Sequence, residues 1–441
     1  MQIIAPLFYT LLFTVIIYRW RFFHLENIPR LWTLFAFLLK VVAGFILWAI
    51  YTYYYTDASQ SDALRYFRDA MTINQQWNEN RDVFWSFMLG RHMDDPAYSS
   101  IYKHLVGWTS GYRYGLTNDC STIIRINAVI GFISFGSYHV HAIFMSFMSF
   151  IGFTALFRTF RFVFAGREKL LFATCFLLPS VVFWSSGLLK EGPLFMALGL
   201  LMLSTVKLID NYRQYIFYAI LLFSIILLVY TKEYVILSLI PAFMFLLLVK
   251  ISGMRFLILK FVLIHACCFL IAQCAHYFFL GGDFLYVLHK KQVDFYNVAY
   301  LNNAGSVVEI PALTSTAGFF MHAPQAFFLT YLRPHFLEAK SWIYVFFSIE
   351  NVLYLLLIAM AFIFFRRPEK EARPMLLASL SFVLVLASIL GNCVPILGSI
   401  VRYRVAALPF LVIVCLACIS QEKVYEFFKR WRRSNRKIIA E

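Results

Sequence analysis

Apolar stretches of roughly 18 or more residues recur along the whole chain, and no other feature restricts its fold so strongly. A soluble fold has no use for so much apolar surface, because most side chains at a protein–water boundary must be polar. Lipid is the solvent that fits. Composition agrees: of 441 residues, 61% are hydrophobic and 14% charged, where soluble domains carry about 25% charged residues. The sequence predicts an all-α, polytopic integral membrane helical bundle.

About eleven spans can be drawn, near 3–18, 31–53, 138–157, 169–187, 192–209, 215–231, 234–250, 256–279, 342–365, 375–397 and 404–420. The first run lacks a preceding basic region and a small-residue cleavage site, so it reads as a retained helix and not as a signal peptide. Basic residues then fall on one side of the membrane. Arg19, Arg21 and Arg30 mark it, as do Arg158, Arg161, Arg167 and Lys169, then Lys207, Arg213, Lys250 and Arg255. Arg366, Arg367, Lys370 and Arg373 follow, and the tail from Lys429 to Lys437 closes the set. Short basic loops are held in the cytoplasm, which places the N-terminus outside and the C-terminus inside. The same bias accounts for the net charge of +16 without a nucleic-acid partner, since no basic stretch is interleaved with a nucleic-acid fold signature.

The organisation expected is a single transmembrane domain over 1–441. Residues 1–30 form an extra N-terminal helix and cytoplasmic loop, and 31–280 a core containing a long outer loop, 55–137. A second outer loop spans 280–341, C-terminal helices 342–420 and a basic cytoplasmic tail 421–441. In the first loop Leu64, Phe67 and Met71 recur at helical spacing among many aromatics, as in amphipathic helices lying at a membrane interface. Six of the eight cysteines lie inside apolar runs and read as small core hydrophobes; Cys120 and Cys393 fall in outer segments, where a disulfide between them is open.

Three short outer turns concentrate the polar residues: Lys190-Glu191-Gly192, Thr231-Lys232-Glu233 and the stretch from Asn392 to Arg404. Glu191 near a helix start suits the helix dipole, and Pro193 suits a first helical turn. The two Lys-Glu pairs are either interfacial caps and snorkelling lysines or the walls of a polar pocket. Arg402 and Arg404, two apart at the mouth of a span, fit a phosphate or pyrophosphate, or lipid headgroups; Arg333, with Glu338 and Lys340, is ambiguous in the same way. In the first loop Asp57, Asp62 and Asp69 follow the second span. Asp62 and Asp69 share a helix face with Arg65 beside them, and Asp62 is the functional choice because it stands so soon after the membrane exit. Asp94-Asp95 is either a divalent-cation site or a solvated turn. Within the spans Lys40, Glu350, Asn351 and the histidines 139, 141, 265 and 276 mark function or buried pairing, Lys40 with Glu350 being one such pair.

With the first span set aside, the order of elements resembles the GT-C superfamily of polytopic membrane glycosyltransferases, such as aminoarabinose transferases and protein mannosyltransferases. That order is a span, a long outer loop with an early acid and amphipathic helices, two spans and a short outer turn with a polar pair. The stretch Leu178-Pro-Ser-Val-Val-Phe-Trp-Ser-Ser-Gly-Leu-Leu-Lys-Glu resembles the family's approach to its second acid, and Arg402-Tyr-Arg404…Pro409 a late Arg-Tyr…Pro stretch. The resemblance covers about 31–280 in architecture and less in motif; a clean Asp-Glu or Asp-x-Asp pair is missing. It implies that Asp62 and Glu191 are catalytic and that Lys190, Lys232, Glu233, Arg333, Arg402 and Arg404 bind the substrate or its phosphate, with a divalent metal an open question. The implied partners are a polyprenyl-phosphate-linked sugar and a glycan, lipid or protein acceptor. The implied place is the outer face of a bacterial inner membrane, in cell-surface glycan synthesis. A lipid-linked polysaccharide polymerase, or a transporter or flippase for a lipid-linked glycan, are the alternatives.

Overall fold

The computed structural model of the chain describes residues 2–54, 61–91, 101, 104–108, 119–277, 283–301, 304–339 and 341–438. Among the described residues the backbone is helical, and β pairing is confined to two isolated bridges, Val307 with Ile396 and Phe365 with Ile419. Among the described residues seven helices are long and apolar enough to cross a membrane, or eight if a pair bent by 63° at a short break is one span. By the length and composition of these helices the chain is a helical, multi-pass membrane protein.

The chain divides into two compact units, Met1–Leu237 and Ser238–Glu441. The boundary falls inside a continuous helix, Glu233–Ser252, within the stretch 31–280 that the sequence suggested as a core.

The first unit contains α1 (Ile4–Arg19), α2 (Arg30–Ala49, prolonged by a π-helical turn to Tyr54), α3 (Asp62–Glu79), α4 (Arg81–Leu89) and α5 (Asp119–Ser134). There follow α6 (Tyr138–Phe160), α7 (Glu168–Phe176), α8 (Pro179–Trp184), α9 (Glu191–Asp210) and α10 (Ile216–Thr231). α6 is the axis, packed by α1, α2, α5, α7 and α9. Its closest neighbour is α9, and small residues set the approach: a Cβ at Gly152 would collide with the Phe195 carbonyl, and one at Gly199 with the carbonyl of Gly152. Glycine at such crossings lets backbones touch, which matters in lipid because packing replaces the hydrophobic drive between helices. Gly192 lies against Met145, so α6 and α9 run parallel and the Tyr138 and Glu191 ends are the same end of the bundle. At the opposite end Arg158 donates to the carbonyls of Phe22 and Arg21, both at 2.8 Å, Arg161 pairs with Glu26, and Asn27 donates to Glu168 at 2.9 Å. Two of the basic loops singled out in the sequence therefore meet.

The described part of the first long loop is held rigidly. Asp69, buried on α3, accepts from the backbone N–H groups of Val106, Gly107 and Trp108 at 3.2, 2.7 and 2.9 Å. Arg125 on α5 donates to the Phe87 carbonyl near the end of α4 at 2.8 Å and stacks 4.7 Å from the Trp108 ring. Asp69 is thus a turn-closing carboxylate.

The second unit continues from α11 (Glu233–Ser252) through α12 (Leu257–Cys274), α13 (Phe284–Leu301), α14 (Thr316–Met321) and α15 (Ala323–Leu332). Then come α16 (Trp342–Ile363), α17 (Arg373–Cys393), α18 (Leu397–Tyr403), α19 (Leu408–Cys418) and α20 (Gln421–Ile438). The segment 280–341, read from sequence as an outer loop, is largely built into this unit. α15 packs on α17, with Ala326, Leu329, Thr330 and Tyr331 buried, and Gln292 ties α13 to the carbonyls of Pro311 and Asn392 at 2.8 and 3.0 Å.

Candidate functional site

The site begins with a break in a helix. α8 ends at Trp184, and residues 185–190 cross non-helically to α9 while remaining buried throughout. Backbone that leaves a helix inside an apolar bundle must find other partners for its polar groups. Three side chains supply them. Lys40 of α2 donates to the Ser185 carbonyl at 3.3 Å and to the hydroxyls of Ser185 and Ser186 at 2.6 and 3.2 Å. Ser149 donates to the Ser185 carbonyl at 2.8 Å and Ser146 to that of Ser186 at 2.9 Å. The Lys40 ammonium also lies 4.9 Å from the Phe153 ring centroid, a cation–π contact. Lys40 therefore serves this turn, while Glu350 accepts from Tyr354 at 2.6 Å in its own unit; each ion has partners other than those the sequence suggested.

The turn delivers two adjacent charges to the Tyr138 end of the bundle, and each meets an opposite charge from a distant segment. Lys190 Nζ binds Asp119 Oδ2 at 2.6 Å, lies 3.2 Å from Cys120 Sγ and stands 5.6 Å from the Tyr66 ring centroid. Glu191 Oε1 takes Lys232 Nζ, from the end of α10, at 2.7 Å. The two pairs differ in exposure. The Glu191 and Lys232 side chains are 0% and 3% exposed, whereas Asp119 is 52% exposed. The first pair is sealed and the second opens on the surroundings. Burial acts to raise the Asp119 carboxyl, but the bonded Lys190 ammonium outweighs it, with help from Lys232, and holds the group below the usual carboxylate range.

Asp62 is the first residue of α3 and partly buried; Tyr66, against Lys190, stands one helical turn further on and so shares its face. Glu233 is exposed at the start of α11, where the helix dipole favours an acid. Asp94, Asp95, Asp57 and Lys340 lie outside the described residues, and among those described no group of three His, Cys, Asp or Glu side chains is placed to hold a metal.

The arginines belong to the second unit and are arranged differently. Arg404, fully buried just before α19, donates through Nη1 to the carbonyls of Thr330, Tyr331 and Arg333 at 3.1, 3.2 and 2.9 Å, and through Nη2 to Asn351 Oδ1 at 2.6 Å. Asn351 in turn donates to the Pro334 carbonyl at 2.8 Å. Arg404, expected to face an anion, instead caps the C-terminal end of α15, where carbonyls lack helical partners. Arg333 pairs with Glu338, which burial would raise but which Arg333 holds below the usual carboxylate range. Arg402 is buried in α18.

Of the expected site residues, Lys190, Glu191 and Lys232 come together, with Asp62 one turn from their neighbour Tyr66. Asp119 was not singled out. Its signal was an acid directly preceding the helical periodicity of Ile123, Ile124, Asn127 and Ile130, at the close of the first long loop. Neither Cys120 nor Cys393 is in a disulfide. The chain matches no protein-family model, no curated protein and no solved structure at a significant level.

Proposed function

We propose that this chain is a membrane glycosyltransferase that moves a sugar from a polyprenyl phosphate or diphosphate to an acceptor hydroxyl at the extracytoplasmic face. The observation that carries the reading is the meeting of Asp119, Lys190, Glu191 and Lys232, from three distant segments, at one end of the first unit, beneath the loop helix that begins with Asp62. A lipid-linked donor explains why such a site belongs to an embedded protein: its tail stays in the bilayer while its head meets the bundle end.

In this reading the accessible pair does the chemistry. The donor phosphate competes with Asp119 for Lys190, and the freed carboxylate, or Asp62 one helical turn from Tyr66, takes the proton of the acceptor hydroxyl. The acceptor oxygen attacks the anomeric carbon, the bond from that carbon to the phosphate oxygen breaks, and Lys190 stabilises the charge the phosphate gains. Glu191 and Lys232, sealed from water, fix the position and potential of the turn. Arg404, Arg402 and Arg333 act in the architecture of the second unit.

The distribution of polar groups favours an enzyme over a transporter. Between Lys40 and the basic end, the described core of the first unit packs Phe37, Phe157, Phe160, Phe164 and Phe172, and its buried hydroxyls Thr154, Thr159 and Thr174 donate to carbonyls of their own helices, whereas a transport path needs polar groups through the midplane. The proposal includes eleven crossings. The short apolar helices α1 and α10 and the broken pair α7–α8 add three to the eight spans above, giving an outer N-terminus and an inner C-terminus in a bacterial plasma membrane.

The test is transfer of radiolabelled sugar from a panel of polyprenyl-phosphate sugars by the protein in lipid nanodiscs. Asp62→Asn, Asp119→Asn and Glu191→Gln are each expected to lower transfer at least ~100-fold with membrane insertion intact. Full activity in both Asp62→Asn and Glu191→Gln would remove the assignment.

A further inference from the structure

A second surface, remote in sequence from the ion pairs, has a chemistry of its own. α16 ends at Ile363 and α19 at Cys418, and the two exits are tied together: Arg366 N–H donates to the Cys418 carbonyl at 2.7 Å and Ser420 N–H to the Phe364 carbonyl at 3.0 Å. Two candidate spans therefore leave the apolar layer at one level, and α20 starts three residues later at Gln421. Lys423 Nζ donates to the Phe365 carbonyl at 2.8 Å, and the Phe427 ring packs edge-on to Phe364 at 5.5 Å, so the first turns of α20 are held against that boundary.

The described part of α20 has two faces. At 100° per residue Val424, Tyr425, Phe427 and Phe428 fall on one side and Lys423, Glu426, Lys429 and Arg430 on the other. Tyr425, Phe427 and Phe428 are 65%, 52% and 48% exposed, although they are the helix's apolar stripe. Exposed Arg366, Arg367 and Lys370 stand on the adjoining loop. Over 421–441 the sequence has seven Lys and Arg against three Glu.

We infer that α20 and the 364–373 loop form an interfacial platform for anionic lipid headgroups. The apolar stripe enters the headgroup–acyl boundary, and Arg366, Arg367, Lys429 and Arg430 bind phosphate groups around it. Charge complementarity selects the occupant: an aromatic stripe alone fits any apolar partner, but a cationic collar at the exit of two spans faces the headgroup layer by position, and anionic lipid supplies both an apolar bed and negative charge. The inference does not depend on the glycosyltransferase reading.

The test uses the full-length protein in nanodiscs of equal parts phosphatidylglycerol and phosphatidylcholine, with the lipids retained after extraction counted by native mass spectrometry. The wild type is expected to retain phosphatidylglycerol over phosphatidylcholine by at least about threefold, falling to near parity in Arg366→Glu/Arg367→Glu/Lys429→Glu/Arg430→Glu. Phe427→Ser/Phe428→Ser is expected to lower total retained lipid. All substituted side chains are at the surface, and each variant is compared at unchanged thermal stability. Should the reversed variant not keep that stability, the wild type alone decides by losing its preference in high salt. Equal retention of the two lipids by the wild type, or a preference untouched by charge reversal or salt, would overturn the inference. So would a residue-428 crosslink between copies that forms irrespective of lipid charge.

Discussion

The two units use cations in opposite ways. In the first, Lys190 and Lys232 bind carboxylates from other segments, and one of the two pairs opens outward. In the second, Arg404 is fully buried and gives Nη1 to three carbonyls and Nη2 to an amide oxygen. The difference follows from the side chains. A guanidinium presents several fixed donors and can close a helix end, whereas an ammonium is a point charge that can pass from one anion to another. A charge deep in a membrane protein is therefore read by its partners: carbonyls indicate architecture, and a half-exposed carboxylate indicates a place where a substrate anion can compete.

That contrast is most severely tested at Arg404. Arg404→Met leaves buried carbonyls and Asn351 without donors and is expected to cost roughly 3–5 kcal/mol, seen as lost monodisperse protein in detergent. Arg404→Lys, with fewer donors, should recover only part of it. A near-neutral Arg404→Met would break the distinction. Glu191→Gln strands the buried Lys232 ammonium and is expected to cost about 3 kcal/mol in thermal unfolding, with Glu191→Gln/Lys232→Met less destabilised than the sum of the single changes. Lys40→Met removes the donor to the Ser185 and Ser186 hydroxyls and one of two donors at the Ser185 carbonyl, with an expected loss of about 1–3 kcal/mol. Because the turn it holds carries Lys190, Lys40→Met should also weaken binding of polyprenyl phosphate.

Asp119→Asn is expected to behave otherwise: under about 1 kcal/mol in stability, since the pair is half exposed, but a large loss of transfer. The smallest effect is its pH dependence. With the folded carboxyl held below its unfolded value, the pair contributes stability above the ordinary carboxylate pKa and loses it as pH falls through the lowered one. Wild type and Asp119→Asn should therefore differ at pH 6 and converge as the solution is taken into the acid range.

Seven helices long and apolar enough to cross a membrane were legible in the sequence because apolar run length is a local property, and the turns at Lys190 and Lys232 because charge inside such runs is conspicuous. The partners were not. Glu191 pairs with Lys232 and not with its neighbour Lys190, since adjacent residues at a helix start point to different sides, and only the packing of α10 on α9 brings Lys232 within reach. Asp119 was hidden among many loop acids, and the structural role of Asp69, on the same helix face as Asp62, shows only in its three backbone donors. Lys40 and Arg404 could not be read because their acceptors are carbonyls freed by breaks at Ser185 and at the end of α15, and a carbonyl's availability leaves no trace in residue type.

The central claim is that Lys190 is shared between Asp119 and a lipid-linked phosphate. Cys120, 3.2 Å from Lys190, reports on it directly. Its modification by a maleimide can be followed by peptide mass spectrometry on the full-length protein in nanodiscs, with and without polyprenyl phosphate. The expected result is at least about threefold slower labelling at saturating lipid phosphate, abolished in Lys190→Met. Labelling of Cys120 at an unchanged rate, with the lipid phosphate present in the same discs, would contradict it.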